Sequence, residues 1–223
     1  MSHSARYVML GAMGDLLSSL PDGGGWRDIA YVGYFDGDAG LAEGFAEAAE
    51  AIFKQWQSSP RTGDQLLLPL VHNYRHALEL ALKQAIRDAA KRVRFDGHND
   101  PSLHPDELDV HLKRKQRHRL GPLADQLAGL LKELALEGLP ADTMRLLARL
   151  HQLDPTGEAF RYADHLESSA HAVDVPELTK LLRDAFAIVH GGVITALHVY
   201  ADYQSDMREM YADYADASNS ASF

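Results

Sequence analysis

The chain has 223 residues, 46% hydrophobic and 24% charged, enough for one large domain or two small ones with a globular core. Its net charge of −10 argues against coating nucleic acid by bulk charge, and the lack of cysteine excludes disulfides, thiol catalysis and thiolate metal sites. No run of about 18 apolar residues is present, and the first apolar stretch is too short for a secretory signal. The expectation is a cytoplasmic protein without membrane contact. The charge is uneven. Residues 87–119 carry nine Lys/Arg against six Asp/Glu, while the remainder carries 13 against 26.

In chain order, residues 1–40 suggest an irregular arm. It holds a helix across 5–20, a break at Pro21-Asp22-Gly23-Gly24-Gly25 and an aromatic run to Phe35. The three glycines precede no Gly-Lys-Ser/Thr and make no phosphate loop. The spacing of Leu41, Phe45, Ala48, Ala49, Ile52, Phe53 and Trp56 predicts a helix over 40–57. The stretch from Asp64 to Arg94 is the organising element. Leu70, Tyr74, Ala77, Leu78, Ala81, Leu82, Ala85, Ile86, Ala89 and Val93 recur at helical spacing. Arg75, Glu79 and Lys83 are four apart and can pair on the surface. Pro69 fits a first turn, and Asp64 fits an earlier cap.

A polar connection follows, with a short helix from Pro105. Residues 113–119, Lys-Arg-Lys-Gln-Arg-His-Arg, form a basic run that can touch phosphate, although such a run is more often a solvated face. Further helices are expected over 120–137 and 142–153, with Asp154-Pro155-Thr156-Gly157 as a turn. A small β-hairpin is expected near 159–175. A last helix should run from Pro176 to Ala215, with Gly191-Gly192 as a kink or a point of close helix approach. Residues 216–223 should fray. The fold class is all-α, a helical bundle in a single domain over 1–223.

The run His72-Asn73-Tyr74-Arg75-His76-Ala77-Leu78-Glu79-Leu80-Ala81-Leu82-Lys83 resembles the core helix of HEPN-like proteins. His118-Arg119-Leu120 with Leu123 and Leu127 is similar to their His-x-Leu segment, and Phe160-Arg161-Tyr162 ahead of a long closing helix adds a third likeness. The resemblance covers roughly residues 60–205 as an order of segments. It implies a HEPN-like helical bundle, a homodimer, and a role in RNA metabolism, toxin–antitoxin pairs or antiviral defence. Two functions follow as expectations: a metal-independent endoribonuclease acting on RNA, or a non-catalytic scaffold that dimerises or binds a partner protein.

Active HEPN ribonucleases carry Arg, four to six residues, then His. Arg183 and His190, with six residues between them, fit that pattern and become the candidate catalytic pair. On a regular helix they differ by about 20° in direction. Histidine would move a proton and arginine would stabilise the phosphorane. Arg92 with His98 and Arg145 with His151 fit the same spacing, and His190 among Ile188, Val189 and Val193 also suits a packing role. His72, His76 and Glu79 share a helical face, but without a His-Glu-x-x-His motif or a second ligand cluster they read as a polar stripe. No metal or cofactor is expected.

Overall fold

The computed structural model describes residues 38–59, 63–161 and 172–220. These are 82% helical and contain no strand, so the protein is all-α. Its described helices belong to a compact unit beginning at Gly37. Residues 1–37 of the expected N-terminal arm (1–40) and residues 162–171 of the expected hairpin lie outside the described residues, and residues 38–40 are helix rather than irregular arm. The flanks of that hairpin are not strand. Phe160 and Arg161 sit in a turn closed by a hydrogen bond from the Arg161 N–H to the Glu158 carbonyl.

Helix α1 (Asp38–Ser58) packs along α2 (Asp64–Phe95). All ten apolar residues expected to line α2 are buried. Val71, Leu80 and Ala90 are buried as well, because neighbours enclose α2 on more than one side. On α1 the buried stripe is Ala42, Ala46, Ala49 and Phe53, and the three small alanines let the two backbones approach. Leu41, expected in the core, is exposed because that stripe runs one residue further on. Helix α2 begins at Asp64, so Pro69 lies inside it rather than in its first turn. Gly63 precedes it, and a Cβ there would come within 2.2 Å of the Trp56 ring.

A short connection leads to α3 (Pro105–His111) and a π turn (Leu112–Gln116). Helix α4 (Leu120–Glu133) then packs on α2, and α5 (Ala141–Leu153) packs on α4. Helix α4 stops four residues short of the expected Glu137. Ala135 takes a left-handed φ of 53°, and the Leu136 N–H reaches back to the Leu131 carbonyl at 2.9 Å. This is a Schellman-type ending that turns Leu134 and Leu136 onto the core.

The closing helix is continuous but not regular. Helix α6 (Val175–Phe186) passes through a π segment (Ala187–Val193) into α7 (Ile194–Ser220). Gly191 and Gly192 fall in that segment and face open space, with no atom within 4 Å of an added Cβ. They therefore mark the wider turn and not a close helix approach. Side chains of α7 cap the end of α2. Gln204 donates to the Arg92 carbonyl and the Asp96 carboxylate, and Arg208 donates to the Phe95 carbonyl. The helix Val175–Tyr214 holds an 18-residue window with a mean hydropathy of 1.3, long and apolar enough to cross a membrane by length and composition alone.

Candidate functional site

The polar residues of α2 do not pair at the surface as expected. Arg75 is 2% exposed and Glu79 is 1% exposed, and both join a buried charge network. Arg75 holds together three parts of the chain. Its Nη1 lies 3.4 Å from Glu79 Oε2. Its Nε lies 2.9 Å from Asp154 Oδ2, a charge contact rather than an aligned hydrogen bond. Its Nη2 donates to the His118 carbonyl at 2.6 Å and the Asp154 carbonyl at 2.9 Å. Burial pulls the guanidinium pKa down, and Asp154 and Glu79 oppose that pull.

Asp154 does more than make a turn. It is fully buried, and its Oδ1 accepts the backbone N–H groups of Gly157, Glu158 and Ala159 at 2.7, 2.8 and 3.0 Å. The carboxylate thus organises the loop after α5. Gly157 has φ +85°, and a Cβ there would sit 2.7 Å from His118 Cβ. Glycine is required on both counts.

The second wall is the end of the basic run. The π turn leads into Arg117 at φ 49° and ψ −112°, a strained position for a residue with a side chain. His118 follows. Its Nδ1 lies 3.0 and 3.1 Å from the two oxygens of Glu79. Lys83 Nζ donates to Glu79 at 2.7 Å, and His76 Nδ1 lies 3.9 Å away. Burial works to raise the Glu79 pKa, but His76, Lys83 and His118 outweigh it and hold the carboxyl down at about 2. An ionised Glu79 can only accept, so His118 carries its proton on Nδ1 and leaves Nε2 bare in the neutral ring.

Two cavities meet at His118. A cleft of about 470 Å³ is lined by Lys113, Arg117, His118, Arg119, Pro155, Thr156 and Glu158. A smaller hollow of about 140 Å³ is lined by Phe45, His72, Arg75, His76, Glu79, His118, Gly157 and Arg161. His118 is 47% exposed while its Nδ1 is anchored on a buried carboxylate. The run 113–119, read from sequence as more often a solvated face, forms much of the larger wall.

Arg183 and His190 have separate partners. Arg183 donates from Nε and Nη2 to the two oxygens of Glu50, each at 2.8 Å, and Tyr74 also donates to Glu50. The Arg183 hydrogen bond is the main reason the Glu50 pKa is lowered. His190 stacks on Phe186 with ring centroids 4.9 Å apart. His190 lies inside the π segment, which departs from the regular-helix spacing assumed for the pair. No hydrogen bond joins them among the described residues. Of the other spaced pairs, Arg145 is engaged with Asp142, and Arg92 lies over the Phe95 ring. His72 and His76 stack with centroids 6.3 Å apart. Among the described residues no group of three His, Asp or Glu is arranged to hold a metal ion.

The chain matches no protein-family model, no curated protein and no solved structure.

Proposed function

We propose that this protein is an RNA-associated helical protein of RNA metabolism or defence, and that it takes the phosphodiester backbone in the cleft between the 113–119 segment and the loop after Asp154. The observation that carries this reading is the cleft lining. Lys113, Arg117 and Arg119 line one wall beside a half-exposed His118, in a chain otherwise strongly acidic. Local positive charge binds phosphate whatever the net charge, because screening confines each charge to about 10 Å. The buried Arg75 network holds both walls, so the site is in place before a ligand arrives.

The test is fluorescence anisotropy with single-stranded 2′-O-methyl RNA, which can bind but cannot be cleaved through its 2′-oxygen. Affinity should fall steeply with salt. Each of Lys113→Ala, Arg117→Ala and Arg119→Ala should flatten the log–log salt slope by about 0.7. Salt-independent binding, or none by the wild type, contradicts the reading.

A second reading, a homodimeric or partner-binding scaffold, is favoured by α7. Val199, Tyr203, Met210, Tyr211 and Tyr214 are exposed along its length. Light scattering at micromolar concentration should then give a dimer mass that Tyr203→Lys with Tyr211→Lys reduces to a monomer. A wild-type monomer mass removes this reading.

A further inference from the structure

We infer that His118 is the acid–base residue of a ribonuclease reaction on single-stranded RNA, held in register by Glu79 at the junction of the two cavities. The inference rests on the RNA-binding reading above and adds chemistry to it. The arrangement is the one general-base chemistry needs: an imidazole with one nitrogen tied to a carboxylate, on a half-exposed ring that lines a cleft. Glu79 Oε1 and Oε2 both lie within 3.1 Å of His118 Nδ1. Arg75 fixes the backbone of the same residue through its carbonyl. The ring is therefore located by two contacts from one rigid helix. The other described histidines lack this combination. His76 packs edge-on against Phe45, and His190 has a buried Nδ1 without a partner in the structure.

Arg117 and Arg119 flank His118 in the chain and line the same cleft, which brings positive charge to the site for a phosphorane. His118 Nε2 takes the proton of a ribose 2′-hydroxyl. The O2′–P bond forms and the P–O5′ bond breaks. The departing O5′ takes a proton from water, and the imidazolium returns its own proton to water. The products are a 2′,3′-cyclic phosphate and a 5′-hydroxyl. No electron is transferred and no co-reactant is consumed. Single strands fit because in-line attack requires a ribose-phosphate backbone free to leave the A-form, and DNA has no 2′-hydroxyl to donate. Glu79 is a positioning residue, since it touches the imidazole and not the RNA.

The experiment uses the full-length protein, end-labelled mixed-sequence single-stranded RNA and EDTA. Wild type should give cyclic-phosphate ends. His118→Asn should cut the rate by about 10²–10⁴-fold, a loss far larger than any change in its affinity for 2′-O-methyl RNA. Added imidazole should restore part of the rate to His118→Gly, an effect that a purely structural histidine would not show. Glu79→Gln should lower kcat with KM held. Its fold is checked by circular dichroism, and His118→Asn keeps the test decisive should Glu79→Gln not fold. Binding of 2′-O-methyl RNA without cleavage of RNA by the wild type overturns the inference and leaves the RNA-binding reading standing. Cleavage kept in His118→Asn but lost in Arg183→Ala and His190→Ala also overturns it. No binding of either RNA removes both.

Discussion

Arg75 shows how a single buried residue can hold the walls of a cleft together. It is a buried cation with two carboxylates and two carbonyls around it, and each partner lies in a segment lining one of the cavities at His118. Removing it leaves Asp154 and Glu79 as buried charges short of a partner. Arg75→Met should therefore destabilise the protein by about 3–5 kcal/mol, read as a shift in a denaturant midpoint at unchanged slope. A change below about 0.5 kcal/mol, the usual range for a surface site, would contradict the network. The four-residue spacing made the Arg75–Glu79 pair legible in the sequence, but not its burial. The signal was present, since Val71, Arg75, Leu78 and Leu82 follow one another at spacings of four, three and four along the apolar face. The missing fact was the partner Asp154, which reads locally as a turn residue and reveals its second role only through a contact 79 positions away.

At the scale of elements, helix α2 was readable almost residue by residue because its periodicity is long and uninterrupted. The turn between α3 and α4 was not, because a basic run looks the same in sequence whether it is solvated or folded into a wall. What distinguishes it is backbone geometry. Arg117 sits at φ 49°, where a side chain is strained. Arg117→Gly should relieve that strain and raise stability by up to about 1 kcal/mol, while weakening RNA binding through the lost cation. Thermal melting and anisotropy measured on the same sample check both halves. A variant that is less stable, or that binds RNA as tightly as wild type, contradicts this account of the turn. The π segment in the closing helix was also only partly legible. Two adjacent glycines announce weakness, but whether a helix answers with a kink, a close contact or a wide turn depends on neighbours distant in sequence.

For the whole molecule, titration links the network to stability. Glu79 falls from an ordinary 4.5 to about 2 in the fold, where burial opposes ionisation and His76, Lys83 and His118 favour it. Its contribution is fully present above pH 4.5 and is lost as pH falls through 2. His72 and His151 are lowered below 6.5, chiefly by burial, so the fold prefers both neutral. Their contribution is present above pH 6.5 and is lost as pH falls through their folded values. The melting temperature should therefore begin to decline below pH 6.5 and fall further between 4.5 and 2. A flat profile from 7 to 3 would contradict the burial of these groups. The central claim, that RNA meets the protein at His118, is tested most directly by histidine-ring NMR during a titration with 2′-O-methyl RNA, with the His118 signal assigned by its loss in His118→Asn. The account predicts that this resonance shifts while that of His190 stays in place. Saturating RNA that leaves the His118 resonance unmoved would contradict it.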